Sequence, residues 1–295
     1  MASHDRLIGG IDAGGTTFKC GISDASGNLL EKRRITVTGP EETLAGCADF
    51  FRAAGALRIQ ALGIASFGPI DVDVASPHYG TILSTPKPGW AGTDLRSLFK
   101  QHLGLEPAID TDVNGALLAE MTKGAATGAA SAAYVTVGTG VGAGIHVNGR
   151  FAGRPVHPEF GHISIRRHDS DRDFKGSCPF HGDCLEGLAS VTAVRARWGE
   201  PSDLPADHGG WDIIADYLAQ ACRTLTLTLR LEKIILGGGL MLATHMLRRV
   251  RTAYDAQLAG YLGAQAISGT ALIETPQLGD DAGLIGALLL AGASG

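Results

Sequence analysis

Leu7-Ile8-Gly9-Gly10-Ile11-Asp12-Ala13-Gly14-Gly15-Thr16-Thr17-Phe18-Lys19-Cys20-Gly21-Ile22-Ser23 holds two apolar runs joined by a Gly/Thr turn. Leu7 to Ile11 has the short, apolar character of a buried strand. Asp12 to Thr17 breaks it with two glycines, which tolerate positive φ and so suit a tight turn. Phe18 to Ser23 returns as a second strand. Asp24-Ala25-Ser26-Gly27-Asn28 is a strong turn signal, and Leu29 to Val37 gives a third strand. The expected unit is a β-meander whose first hairpin carries the Gly/Thr turn.

The same pattern returns later in the chain. Ala132 to Val137 reads as a strand, Gly138-Thr139-Gly140-Val141-Gly142-Ala143-Gly144 as a second glycine turn, and Ile145 to Val147 as the returning strand before a turn at Asn148-Gly149. This echo predicts a duplicated α/β unit with a cleft between the copies. In the first half, Glu41 to Ala54 reads as a helix, with Leu44, Cys47, Phe50 and Phe51 at helical spacing and Gly55 as its stop. Ile59 to Ser66 is a buried strand and Asp73 to Trp90 a loop. A helix over Thr93 to Leu103, a strand over Ala108 to Asp112 and a helix over Val113 to Gly124 follow. In the second half, Gly210 to Leu231 reads as a long helix with Ile213, Ile214, Tyr217, Leu218, Ala221 and Leu225 inward. Lys233 to Leu236 is a strand ending in Gly237-Gly238-Gly239, and two more helices surround a strand at Ala271 to Ile273.

Composition narrows the function. With 44% hydrophobic and 19% charged residues, 295 residues can bury a substantial core. The net charge is -5, and the longest basic cluster is Lys32-Arg33-Arg34 on an expected strand edge, so a nucleic-acid footprint is absent. The first residues lack the basic and apolar regions of a signal peptide. Gly283 to Ala293, at about 11 residues, is too short to span a bilayer. Five cysteines, of which only Cys178 and Cys184 are near in sequence, argue against a disulfide framework. A cytoplasmic location is expected, with neither nucleic acid nor membrane as partner.

Both glycine turns suit a phosphate cradle. Glycines let backbone N–H groups converge on anionic oxygens, and threonine hydroxyls add donors. The candidates are Asp12, Gly14, Gly15, Thr16 and Thr17, with Gly138, Thr139 and Gly140. Asp12 would repel phosphate unless a metal ion lay between, and Mg²⁺ held through water is the natural intermediary. Lys19 would neutralise terminal phosphate charge. Neither turn fits a Walker A loop or opens a helix, which excludes the P-loop and Rossmann sites. Gly237 and Gly238 fit either a tight strand-to-helix turn or a rest for a nucleotide base.

Asp110 and Asp112 sit at an expected strand end before a helix, where α/β proteins gather ligands. One aspartate is expected to cap the helix. The other is left free to act as the base that a hydroxyl needs when it attacks a γ-phosphoryl group. Cys178-Pro179-Phe180-His181-Gly182-Asp183-Cys184, with His162 sixteen residues earlier, offers two thiolates and two imidazoles. Four such ligands suit a structural zinc, with no open position. His157 and His168 are rival histidines. A zinc clamp would also fix Glu159 and Glu186, and paired carboxylates accept well from sugar hydroxyls.

Together, in this order and over nearly the whole chain, these pieces resemble the ROK sugar kinases of the actin/hexokinase-like ATPase superfamily. Asp12 to Thr17 and Gly138 to Gly144 are similar to the two phosphate motifs of that family. Ser66-Phe67-Gly68-Pro69-Ile70-Asp71, Thr85-Pro86-Lys87-Pro88-Gly89-Trp90, and Asp112-Val113-Asn114 with Glu120 resemble further family segments. So do Pro158-Glu159-Phe160-Gly161-His162 and the C-terminal run from Leu278 to Ala287. The resemblance implies an α/β, two-lobed actin-like (ribonuclease H-like) fold with an interlobe cleft. Its small lobe would be 1–117 plus 282–295, and its large lobe 118–281 with the zinc loop.

The resemblance also implies ATP, Mg²⁺ and a structural Zn²⁺, a hexose substrate and a homodimer. Asp112 would be the general base. Glu159, His162 and Glu186 would bind sugar hydroxyls, Gly68, Lys87 and Asn114 would line the site, and Gly237 and Gly238 would flank adenine. His162, Cys178, His181 and Cys184 would hold zinc. The knuckle has two cysteines where the family usually has three, and His157-Pro158-Glu159-Phe160-Gly161-His162 replaces a shorter motif. Both features look like the fructokinase branch and disfavour a glucokinase. Thr111 stands where the family usually has Asn, which alters one sugar contact. A mannokinase or broad hexokinase is the sister alternative. A sugar-responsive ROK regulator is another, but only about ten residues precede Asp12, too few for a DNA-binding domain.

Overall fold

β1 (Leu7–Ala13) and β2 (Thr17–Ser23) pair antiparallel, with Ile11 opposite Cys20 and Asp12 opposite Lys19. The computed structural model describes residues 6–53, 59–85 and 87–293. The Asp24 carboxylate accepts the backbone N–H groups of Ser26 and Asn28 at 2.9 Å, which closes the turn into β3 (Leu29–Thr36). α1 (Pro40–Ala53) buries Leu44, Cys47, Phe50 and Phe51 as its spacing predicts. The expected end at Ala54 and stop at Gly55 lie outside the described residues. β4 (Ile59–Ser66) then runs parallel to β1.

α2 (Leu95–Leu103) starts two residues later than its apolar pattern suggests. Asp94 caps it by accepting from the Ser97 N–H at 2.9 Å. β5 (Ala108–Thr111) pairs parallel with β4, and α3 (Asp112–Lys123) follows without a loop. The sheet order is β3-β2-β1-β4-β5.

β6 (Ala132–Val137), β7 (Val141–Val147) and β8 (Arg150–Phe151) form the second meander. β7 begins four residues earlier than expected: Gly142 and Gly144 are paired strand residues, opposite Thr136 and Tyr134, and only the residues before Val141 turn. α4 (Leu185–Ala189), α5 (Val191–Trp198) and α6 (Gly210–Leu229) lead to β9 (Lys233–Gly237). Every residue expected to face inward from α6 is buried.

α7 (Met246–Leu258) precedes α8 (Gly269–Leu272) and β10 (Ile273–Glu274). The strand expected at Ala271 therefore begins only at Ile273, because the Ser268 side chain accepts from the Ala271 N–H and starts a helical turn. The second sheet order is β10-β9-β6-β7-β8, which matches the first strand for strand when read in reverse. The duplication expected from the two glycine turns is present in the topology. Each sheet is an antiparallel meander extended by two parallel strands.

Two compact units result. One holds the described residues through Glu120, with Gly153–His157 and those from Leu278 on; the other holds Met121–Ala152 and Pro158–Gln277. α9 (Ala282–Ala293) closes the first unit by packing on β1 and β4. A Cβ on Gly286 would lie 2.0 Å from the Gly115 carbonyl oxygen, so glycine is what lets α9 cross α3 this closely. Among the described residues, no helix is long and apolar enough to cross a membrane.

Candidate active site

In the first unit, strand register sets the site. Ala13 is opposite Ser66, and Ser66 is opposite Thr111. The C-terminal ends of β1, β4 and β5 are therefore level. Gly14, the Phe67-Gly68 pair and Asp112 leave the sheet side by side, where α/β folds place ligands. The first turn is closed by the Gly14 N–H, which donates to the Asp12 and Thr17 carbonyls at 3.2 Å, and its tip, Gly15 and Thr16, is exposed.

The two aspartates of β5 and α3 have separate duties, and neither caps the helix. The cap is Thr111, whose hydroxyl accepts from the Asn114 N–H at 3.2 Å. This corrects the expectation that an aspartate would do so: the threonine hydroxyl stands at the right offset and is buried. Asp110 is fully engaged. It accepts the Thr111 N–H at 2.7 Å and the Asn114 amide at 2.8 Å, and it pairs with Arg154. Asp112 accepts from the Val113 N–H at 2.8 Å. Desolvation, and then the nearby Asp12 carboxylate, push its pKa up to about 7, against the pull of Lys87.

Asp12 is raised by burial and lowered by Lys19, which stands 3.3 Å away. Lys19 also donates to the Asp280 carbonyl and, at 2.7 Å, to its carboxylate. The Lys19 ammonium thus braces Asp12 against the turn before α9. Arg34 joins Asp280 from β3. No spacing in the sequence signals this contact, because the partners are 261 residues apart.

Lys87 lies 3.2 Å from the centre of the Phe67 ring. A Cβ at Gly15 would be 3.1 Å from its Nζ, so the ammonium stands at the first glycine turn. Desolvation lowers its pKa to about 8, and Asp112 opposes that shift. Glu120 is buried and accepts from the Leu278 N–H at 2.9 Å, which ties α3 to the chain entering α9.

In the second unit, the Gly138 N–H donates to the Gly140 carbonyl at 2.9 Å and makes the second hairpin. Thr139 is exposed at its tip. Gly237 pairs with Thr136, and Gly238 follows with φ +89. The hairpin and this glycine pair therefore share one end of the second sheet. Glu186, on α4, accepts from the Val141 N–H at 3.0 Å. Glu159 is exposed, and its carbonyl accepts from the His162 N–H at 3.0 Å in the turn Phe160–His162.

One ligand atom from each of His162, Cys178, His181 and Cys184 lies within 4.8 Å of the others. His162 Nδ1 is 3.7 Å from Cys178 Sγ and 3.6 Å from Cys184 Sγ, and His181 Nδ1 is 3.8 Å from Cys178 Sγ. Tetrahedral zinc with ordinary Zn–S and Zn–N bonds separates sulfur and nitrogen by about 3.6 Å. The donor set and its spacing fit that ion. Of the rival histidines, His168 accepts from the Ser170 N–H, and the His157 ring stands 3.9 Å from where a Gly68 Cβ would be. Arg167 holds the loop by pairing with Asp183 at 2.9 Å and donating to the Phe174 carbonyl.

The protein is 42% identical to a fructokinase of Zymomonas mobilis over 99% of this chain and 98% of that one. A ROK hexokinase structure from Thermus thermophilus superposes with a TM-score of 0.79 at 25% identity, covering 98% of each chain. A ROK family glucokinase of Streptomyces griseus, solved with glucose and AMPPNP, gives 0.74 at 26% identity, over 98% of this chain and 100% of that one. The sequence profile of the ROK family matches residues 8–294, and the chain belongs to that family.

Proposed function

We propose that this protein is an ATP-dependent fructokinase that makes fructose 6-phosphate, with Asp112 as general base. The observation that carries the chemistry is the division of labour between Asp110 and Asp112. Asp110 is consumed by Asn114, Thr111 and Arg154, whereas Asp112 keeps a proton affinity near neutrality beside the first glycine turn. A base with a pKa close to the working pH transfers protons most efficiently. Asp112 takes the proton of the attacking hydroxyl as the new O–P bond forms and the bond to the leaving ADP oxygen breaks.

The other roles follow the chemistry of each group. Gly14, Gly15, Thr16 and Thr17, with Gly138, Thr139 and Gly140, are assigned to phosphate oxygens, and Gly237 and Gly238 to the base. Asp12 is the acceptor for water molecules around Mg²⁺, which when bound offsets phosphate charge. Lys19 acts on the nucleotide by bracing Asp12. Gly68, Lys87, Asn114, Glu159, His162 and Glu186 are assigned to the sugar. His162, Cys178, His181 and Cys184 hold a structural zinc, whose chemistry is to fix this loop. Fructose is preferred as the substrate because identity to the Zymomonas mobilis fructokinase is 42%, against 26% to the Streptomyces griseus glucokinase.

No described cysteine is joined in a disulfide, in keeping with a reducing, cytoplasmic setting. The resemblance favours a homodimer, which light scattering would establish. The activity test is a coupled assay of ATP consumption over fructose, mannose and glucose, with the product identified by phosphorus NMR. Fructose should give the highest kcat/KM and a 6-phosphate. A higher kcat/KM for mannose or glucose would replace the substrate assignment, and no turnover with any hexose would end it.

A further inference from the structure

The segment that follows the last cysteine of the metal cluster grips the second phosphate hairpin at three places. The Glu186 carboxylate accepts the Val141 N–H at 3.0 Å. The Val191 N–H donates to the Gly138 carbonyl at 2.8 Å. The Thr192 hydroxyl donates to the Thr139 carbonyl at 2.7 Å. The hairpin is shaped to receive this grip, because a Cβ on Gly140 would lie 2.5 Å from the Glu186 carboxylate oxygen.

The path from metal ligand to hairpin is short and stiff. Cys184 precedes α4, and the Leu188 N–H donates to its carbonyl at 3.0 Å. Leu185, Leu188 and Ala189 are fully buried. The Leu185 N–H donates at 3.0 Å to the carbonyl of Ile163, the residue after His162. Ser190 then caps α5 by accepting from the Ala193 N–H at 3.2 Å, so Val191 and Thr192 start a second fixed helix. Moving Cys184 therefore moves Glu186, and with it the hairpin.

We propose that Glu186 and Thr192 are positioning residues for the nucleotide hairpin, and that they couple occupancy of the His162/Cys178/His181/Cys184 site to nucleotide binding. The proposal rests on the zinc and nucleotide assignments above. Binding linkage is reciprocal, so zinc raises nucleotide affinity by the same factor as nucleotide raises zinc affinity. Each hairpin hydrogen bond is of a size whose loss weakens binding about fivefold.

The test measures zinc stoichiometry first, then AMPPNP affinity by calorimetry, without sugar, on zinc-loaded and zinc-stripped protein. The expected result is one zinc per chain and AMPPNP binding about tenfold weaker after stripping. Thr192→Val should weaken AMPPNP binding about fivefold and leave fructose affinity unchanged, and Thr192→Ser should restore it. Glu186→Ala should act like Thr192→Val on AMPPNP, whereas Glu186→Gln, which keeps an acceptor oxygen, should not. Failure to bind zinc would overturn the metal assignment and the coupling with it. Bound zinc whose removal leaves AMPPNP affinity and fold unchanged would overturn the coupling alone. Stripped protein that unfolds, with Thr192→Val binding AMPPNP normally, would also overturn it.

Discussion

The side-chain amide of Asn114 in α3 donates to the carboxylate of Asp110, four residues earlier in β5, at 2.8 Å. That bond, with Arg154, engages Asp110, and the proposed mechanism therefore gives the chemistry to Asp112. Asp112→Asn should therefore lower kcat by a factor on the order of 10²–10⁴ while fructose affinity persists. Asp110→Ala should mainly cost stability, about 1–3 kcal/mol, because it strands the buried Asn114 amide. Steady-state kinetics and urea unfolding of the two variants separate these roles. Near-normal kcat in Asp112→Asn would remove Asp112 as the base.

The pH profile of kcat/KM should be a narrow bell. As the proposed base, Asp112 must lose its proton to act, so activity should rise as pH climbs through about 7. In the sugar site proposed for it, Lys87 must keep its charge, so activity should fall as pH passes about 8. Lys87→Arg keeps the charge at high pH and should remove the upper limb. An upper limb that survives in Lys87→Arg would show that Lys87 is not the group titrating there.

Raising the pKa of Asp112 also has a stability cost of defined sign. Between its ordinary value of 3.8 and about 7, the folded protein holds a proton that the unfolded chain releases. Stability therefore falls as pH rises through that window. Asp112→Asn should raise the melting temperature at pH 8 and lose most of that gain at pH 4. A melting difference that does not change with pH would contradict this account.

Arg197 and Asp171 form a buried ion pair at 2.5 Å, each side chain 5% exposed, and Tyr217 donates to the same carboxylate at 2.7 Å. The pair anchors the loop before the cysteines to α5 and α6. Arg197→Met leaves the Asp171 charge buried without its partner and should cost about 3–5 kcal/mol. Equilibrium denaturation reads this directly, and a cost below about 1 kcal/mol would mean that water or another cation replaces the arginine.

Chelation should expose the metal loop. Treatment with a strong chelator should lower the melting temperature and make Cys178 and Cys184 reactive to a thiol reagent, while Cys20, Cys47 and Cys222 stay protected in the cores. Unchanged reactivity on chelation would argue that no ion holds this loop.

Local chemistry was readable along the chain because it depends on near neighbours. The first glycine turn, the Asp24 turn and the inward face of α6 each follow from spacing alone, whereas the second glycine run was read as a turn over four residues that pair in β7. The repeat of a strand, a Gly/Thr turn and a returning strand was enough to foretell a duplicated α/β unit. Donors close in sequence, such as Cys178, His181 and Cys184, could be grouped from their spacing. What only the tertiary structure decided were choices between neighbours of similar chemistry and contacts across long separations. Thr111 rather than an aspartate caps α3, because the rotation of β5 into the helix points its hydroxyl at the Asn114 N–H. Lys19 is drawn to Asp280, and Glu186 to Val141, by packing that brings distant segments within hydrogen-bond reach. Such contacts carry no periodic signal, since their partners are fixed by where sheets and helices meet and not by the interval along the chain.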